Sequence, residues 1–291
     1  MTRNVRLAMV LGSALLFAFV APGVRLLDGS VSGLDIAGLR GLFAAALLGI
    51  VWVVLCRSER EPLVLRREVM IAAFFVAASS FLSIYALSLQ KTATAASLLY
   101  GAPVYALVLN PFLGKRTTWI EAMAASGTGV ALFVLLQEEG GWTLPGVIVG
   151  IFSGVALVLV GYRFHAMSRA TDKVLALSLG SAAQAVLIPF GATTIGSISG
   201  SEWLILAGIG LFTSAIPNLL LGLSLSDKES LIGQTIALAF EPFFQVGLAY
   251  LIVKEIPGWY GFFGCALHIL VVASYRIATL PRPVSARAAT A

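Results

Sequence analysis

Leu34–Cys56 reads LDIAGLRGLFAAALLGIVWVVLC. A helix that crosses the hydrocarbon core of a bilayer needs about 20 mostly apolar residues, and this run supplies them without a break. Its apolar side chains are continuous and do not alternate every second residue, so a transmembrane β-barrel is excluded. Only Asp35 and Arg40 interrupt it with charge. The fold class follows from asking how often the same pattern recurs.

It recurs along the whole chain. Ten apolar stretches stand out: Val5–Leu27, Leu34–Cys56, Val69–Gln90, Ala95–Leu113, Thr118–Leu136, Leu144–Gly161, Val174–Ile195, Glu202–Leu223, Ser230–Val253 and Trp259–Ile277. No gap between them holds more than about a dozen residues, so no soluble domain is expected. The 291 residues are 59% hydrophobic and 11% charged, with a mean hydropathy of +0.96. A soluble domain carries about 25% charged residues, so this composition predicts an all-α, polytopic membrane protein. Arg3 and Arg6 precede the first stretch as in a signal peptide. That stretch is too long and lacks a small-x-small cleavage site, so a retained helix is expected. Cys56 and Cys265 lie far apart in apolar runs and read as small packing residues.

The basic residues fix an expected orientation. Placing the N-terminus in the cytoplasm puts 15 of the 19 Lys and Arg residues on that side, in Arg3 and Arg6, Arg57 to Arg67, Lys115 and Arg116, Arg163 to Lys173, Lys228 and the tail. Arg25, Lys91 and Lys254 remain outside, and Arg40 lies within the membrane. This is the positive-inside bias, and it predicts both termini in the cytoplasm. The net charge of +5 is thereby explained without a nucleic-acid partner; the partners expected are the lipid bilayer and a small-molecule substrate.

Gln137-Glu138-Glu139-Gly140-Gly141 is the most polar outer gap and divides the helices five and five. Ala86-Leu87-Ser88-Leu89 recurs as Gly222-Leu223-Ser224-Leu225. Pro103 precedes Lys115, and Pro242 precedes Lys254, by twelve residues each. The expected units are residues 1–139, residues 140–281 and a short tail, 282–291. An odd number of helices per unit makes the copies inverted, a recurrent transporter design with its site at the repeat interface. Pro103 and Pro242 are the expected hinges, since each removes a backbone donor mid-helix.

Arg40 within Ala37-Gly38-Leu39-Arg40, Tyr85-Ala86-Leu87, Ala95-Ala96-Ser97, Ala102-Pro103-Val104 and Leu238-Ala239-Phe240-Glu241-Pro242 with Lys254-Glu255 then carry a resemblance. The chain resembles the drug/metabolite transporter superfamily, and within it the EamA-like ten-helix branch. The resemblance implies alternating access and export across a bacterial inner membrane. Among such proteins it looks most like exporters of amino acids, aromatic ones included. Where the family usually shows a Glu in the turn closing helix four, Gly114-Lys115-Arg116 stands here.

Charges at a helix centre cost about 2.5–3.5 kcal/mol each on insertion scales, so the survivors are the candidate site. Gln234, Leu238, Glu241 and Gln245 share one helical face, and Glu241 suits a substrate ammonium or a carried proton. Ser79, Ser83, Ala86 and Gln90 form a second small, polar face, suited to a cavity wall or to close packing. Tyr100 stands one turn before Pro103 and can stack on an aromatic ligand. Asn218 can donate to a carboxylate. The expected substrate-binding residues are thus Glu241, Gln245, Gln234, Tyr100, Asn218 and Ser83. Arg40 is expected to be structural, snorkelling outward, pairing with Asp35 or meeting a carbonyl. His268 reads as a packing residue, and the five tryptophans as interfacial anchors.

Three function classes compete. An intramembrane enzyme needs a nucleophile or metal constellation, and no HExxH, GxSxG or P-loop pattern occurs. A channel needs rings of charge or a carbonyl filter sequence. A small-solute transporter fits, with amino acids as the expected cargo and hydrophobic or cationic drugs as the alternative. No cofactor, no metal and no enzymatic activity are expected.

Overall fold

A computed structural model describes residues 3–27, 29–59, 66–137, 142–191, 193, 195–224 and 241–278. Among these the chain is helical throughout, with no strand. The helices are α1 (Arg3–Phe17), α2 (Val20–Leu26), α3 (Gly33–Glu59), α4 (Arg67–Leu89), α5 (Thr92–Tyr100), α6 (Ala102–Leu109), α7 (Trp119–Leu135), α8 (Leu144–Ala166), α9 (Ala170–Ala183), α10 (Gly200–Gly210), α11 (Ile216–Ser224), α12 (Glu241–Val253) and α13 (Trp259–Ala278).

Seven helical segments are long and apolar enough to cross a membrane: Ala8–Leu26, Gly33–Arg57, Arg67–Leu89, Thr92–Leu109, Leu144–Ala166, Ala170–Phe190 and Gly200–Ser224. Three further apolar stretches, Trp119–Leu135, Glu241–Val253 and Trp259–Tyr275, are shorter. At 1.5 Å per residue, a helix of 17 residues spans about 26 Å, short of the hydrocarbon core. For α7 the start is set locally. Thr118 and Glu121 form a reciprocal capping box, and Gly114 turns the preceding chain at a φ of 65°. The first half of the expected ninth span, from Ser230 to Phe240, lies outside the described residues, as do Glu138–Gly141, Lys228 and the tail.

Hydropathy alone misplaces some ends. The stretch expected to stop at Gly161 continues as helix to Ala166, because Arg163 and His165 in its last turn complement the helix dipole. The stretch expected to begin at Val174 begins at Ala170, with Asp172 in its first turn.

Outward faces are apolar. Val54, Phe74, Phe133, Phe152, Leu204 and Phe263 are all well exposed, while Ser13, Thr94, Ser97, Thr128 and Ser153 are buried. A large apolar girdle around a polar interior is what a lipid solvent selects and what water would penalise.

Several packing pairs organise the bundle. Helix α4 lies on α8 and α9, and α3 on α9 and α10. Helix α1 lies on α11, α2 on α12, α5 on both α8 and α12, and α7 on α13. Close approach requires glycine at the α3–α9 crossing, where a Cβ on Gly41 would stand 2.6 Å from the Ser181 carbonyl oxygen. Polar contacts mark two opposite ends of the bundle. At one, Arg66 pairs with Asp172 at 3.4 Å, and Lys115 and Arg163 lie over the Tyr162 ring. At the other, Gln90 and Thr143 join the end of α4 to the start of α8.

Candidate functional site

Three irregularities shape the interior. The stretch from Thr92 to Leu109 breaks at Gly101, leaving Tyr100 as the last residue of α5 and Pro103 as the second of α6. A side chain at position 101 would stand 2.7 Å from Leu132 Cδ1, so the break also needs a residue without Cβ. The freed carbonyl region is partly served by Tyr105, whose hydroxyl donates to the Leu98 oxygen at 2.8 Å. Pro103, expected as a hinge, therefore stands as the second residue after a break between two helices. The second irregularity is a π-turn, Leu211–Ala215, joining α10 to α11 just before Pro217. Such turns insert a residue and redirect the side chains that follow. The third is the short 3-10 segment Gln184–Phe190 that closes α9. Pro242 is the second residue of α12, at the margin of the described residues.

Between these elements lies a central cavity of about 80 Å³. Its wall is built by Phe17 and Val20 from the first segment, Arg40 from α3, and Ser79, Ser80 and Ser83 from α4. Leu99 and Tyr100 come from α5, Leu157 and Val160 from α8, Asn218 and Leu221 from α11, and Glu241 and Gln245 from α12. Five of the six residues expected to bind substrate thus meet in one space: Glu241, Gln245, Tyr100, Asn218 and Ser83. The sixth, Gln234, lies outside the described residues.

Glu241 is 1% exposed. Its Oε1 accepts from Gln245 Nε2 at 2.7 Å, the i, i+4 partner on the same face. The Tyr100 side chain contacts the same carboxyl group. Oε2 has no hydrogen bond of full geometry among the described residues.

Of the three arrangements expected of Arg40, it takes the third and meets a carbonyl, that of Ser80. It neither snorkels outward nor pairs with Asp35, whose Oδ2 instead accepts from Ser32 Oγ and from the Thr193 amide. The guanidinium points inward and is 3% exposed. It donates to Ser214 Oγ at 2.9 Å, to Ser80 Oγ, and at 3.4 Å to both the Ser80 carbonyl and Gln184 Oε1. The π-turn carries Ser214 and the 3-10 segment begins at Gln184, so the irregular backbone around α3 serves this one side chain. Sequence reasoning missed Ser80, Ser214 and Gln184. Only the adjacency of Ser80 to the small-residue face of α4 hinted at the first.

That face of α4 does two jobs. Ser79 and Ser153 donate reciprocally to each other's carbonyls, at 3.2 and 2.9 Å, which is a packing seam with α8. Ser83 turns to the cavity while donating to the Ser80 carbonyl at 2.8 Å. His268 is buried in α13 away from the cavity lining. Among the described residues, no group of three His, Cys, Asp or Glu side chains could share a metal ion.

A second polar cluster closes the end of the bundle that carries Arg25 and Lys91. Glu255, in the turn after α12, pairs with Arg25 Nε at 3.2 Å. Its oxygens also accept from the Thr92 amide at 2.8 Å and the Thr92 hydroxyl at 2.7 Å. Arg25 donates in turn to the Gln90 carbonyl at 2.6 Å. The turn is tight enough to hold Lys254 at a φ of 59°.

No family model and no curated protein matches this chain. Solved structures do: one crystal structure aligns with 100% of this chain and 100% of its own, at a TM-score of 0.66 and 20% identity. The likeness is one of fold.

Proposed function

We propose that this protein is a secondary transporter that exports small metabolites, amino acids among them, across a bacterial inner membrane by alternating access. In this reading it has ten spans in two inverted five-helix units, 1–139 and 140–281, and belongs with the EamA-like drug/metabolite transporters. The observation that carries the proposal is the central cavity: within an apolar bundle, Arg40, Glu241, Gln245, Tyr100, Asn218 and Ser83 line one space. Intramembrane ionisable groups facing a cavity are the hallmark of substrate and ion pathways.

The packing supports the inverted repeat. Number the ten apolar stretches in chain order and shift each by five. The third on the sixth (α4 on α8) exchanges with the eighth on the first (α11 on α1). The third on the seventh exchanges with the eighth on the second, and the fourth on the sixth with the ninth on the first. The second on the seventh, the fourth on the ninth and the fifth on the tenth map onto themselves. Such a pattern is expected of two copies related by a pseudo-two-fold axis in the membrane plane.

Glu241 in this cavity can meet the ammonium group of an amino acid. Glu241 and Tyr100 also suit a hydrophobic cation, and the deciding experiment separates the two. Purified protein in proteoliposomes, preloaded with a panel of amino acids or lipophilic cations, is assayed for counterflow of labelled solute. Exchange of at least one amino acid is expected. Exchange of cations with no amino acid moving overturns the reading.

A further inference from the structure

Arg40 is buried against the cavity, yet every acceptor that meets it is neutral. Ser214, Ser80 and Gln184 hold the guanidinium in place, and no carboxylate lies within 4 Å of it among the described residues. Its Nε–H has no acceptor among the described residues. A guanidinium carries five N–H donors in a rigid fork suited to carboxylate recognition. Burying such a cation without a countercharge is costly, several kcal/mol even after relaxation. Glu241, the one acid in the cavity lining among the described residues, is engaged by Gln245 and Tyr100 and makes no ion pair with it. Among the described residues, the cavity therefore presents a guanidinium with no carboxylate against it and, separately, an acid whose Oε2 has no hydrogen bond of full geometry.

We infer that Arg40 is the anion-binding pole of the central cavity and takes the carboxylate of the transported solute, with Nε–H as the donor held in reserve for it. This rests on the transport reading above and adds to it a requirement: cargo must carry a carboxylate. Ser80, Ser214 and Gln184 are positioning residues, which fix the fork without satisfying its charge. Asn218 lines the same cavity and adds a neutral donor or acceptor.

The test uses the full chain in proteoliposomes and three matched probe sets: leucine with isoamylamine, phenylalanine with phenethylamine, and the methyl esters of both acids. In the unaltered protein, the amino acid that exchanges should compete at least tenfold more strongly than its decarboxylated amine or its ester. Arg40→Gln should erase that preference, weakening the amino acid tenfold or more while changing the amine less than threefold. Arg40→Lys, which keeps the charge but not the fork, should restore part of the preference. The inference is overturned if Arg40→Gln retains the preference for acid over amine. It is equally overturned if the unaltered protein takes amine and ester as well as the acid, a result that needs no variant to fold. If no amino acid moves at all, the transport reading itself fails; if amino acids move without regard to the carboxylate, only the role of Arg40 fails.

Discussion

At the level of single residues, the cavity sorts its polar groups by what already satisfies them. Among the described residues Glu241 Oε2 lacks a full hydrogen bond, whereas Oε1 is held by Gln245. Hydrogen bonds to a charged group contribute about 1.5–3 kcal/mol, roughly 10- to 100-fold in affinity. Glu241→Gln should therefore lower amino-acid counterflow by about that factor while leaving the protein monodisperse in detergent; unchanged counterflow would remove Glu241 from the site. Tyr100→Phe removes one neutral partner of the same carboxyl and should cost less, on the order of 3- to 10-fold, in the same assay. Five of the candidate residues were legible because helical spacing and charge cost point inward together. Ser80 and Ser214 were not, since a serine in an apolar run carries no mark of which helix it will face.

At the level of elements, the breaks matter more than the helices. Gly101 ends α5 beside the cavity, the π-turn aims Ser214, and the turn after α12 brings Glu255 to Arg25 and Thr92. That last cluster ties three segments together at one end of the bundle, and we propose that it acts there as a clasp. Its ion pair is partly exposed and contributes little alone, about 0–1 kcal/mol, but the Thr92 and Gln90 hydrogen bonds add to it. Glu255→Gln with Arg25→Ala should loosen this end. A Ser83→Cys reporter, with Cys56 and Cys265 replaced by serine, should then react several-fold faster with a membrane-impermeant thiol reagent applied outside. An unchanged rate would deny the clasp. Packing gives a second prediction. Gly41→Ala forces a methyl group against the Ser181 carbonyl, and overpacking of this kind costs about 1–3 kcal/mol. Thermal denaturation in detergent should show a clear drop in Tm, and an unchanged Tm would mean that α3 and α9 separate easily.

For the whole molecule, charge and packing describe the same two ends. Arg66, Lys115 and Arg163 gather at one, while Arg25, Gln90 and Glu255 gather at the other. From the positive-inside bias we propose that the first faces the cytoplasm. Single cysteines at Gly114 and at Thr143 should accordingly label from opposite sides of the membrane in intact cells, Thr143→Cys from outside and Gly114→Cys only after permeabilisation. Labelling of both from one side would overturn the arrangement of spans.

Composition and run length determine that this chain is helical and sits in a bilayer, because transfer of apolar side chains and satisfaction of backbone hydrogen bonds are local quantities that add along the sequence. Helical periodicity likewise determines which face of α12 turns inward. Tertiary structure alone decides the surroundings of Arg40. Sequence expected an outward, Asp35-paired or carbonyl-bound arginine and could not say which carbonyl. The actual partners stand 40, 144 and 174 residues away, brought in by a π-turn and a 3-10 segment that hydropathy does not register. Burial cost is written in the sequence, but the group that offsets it depends on which helices meet.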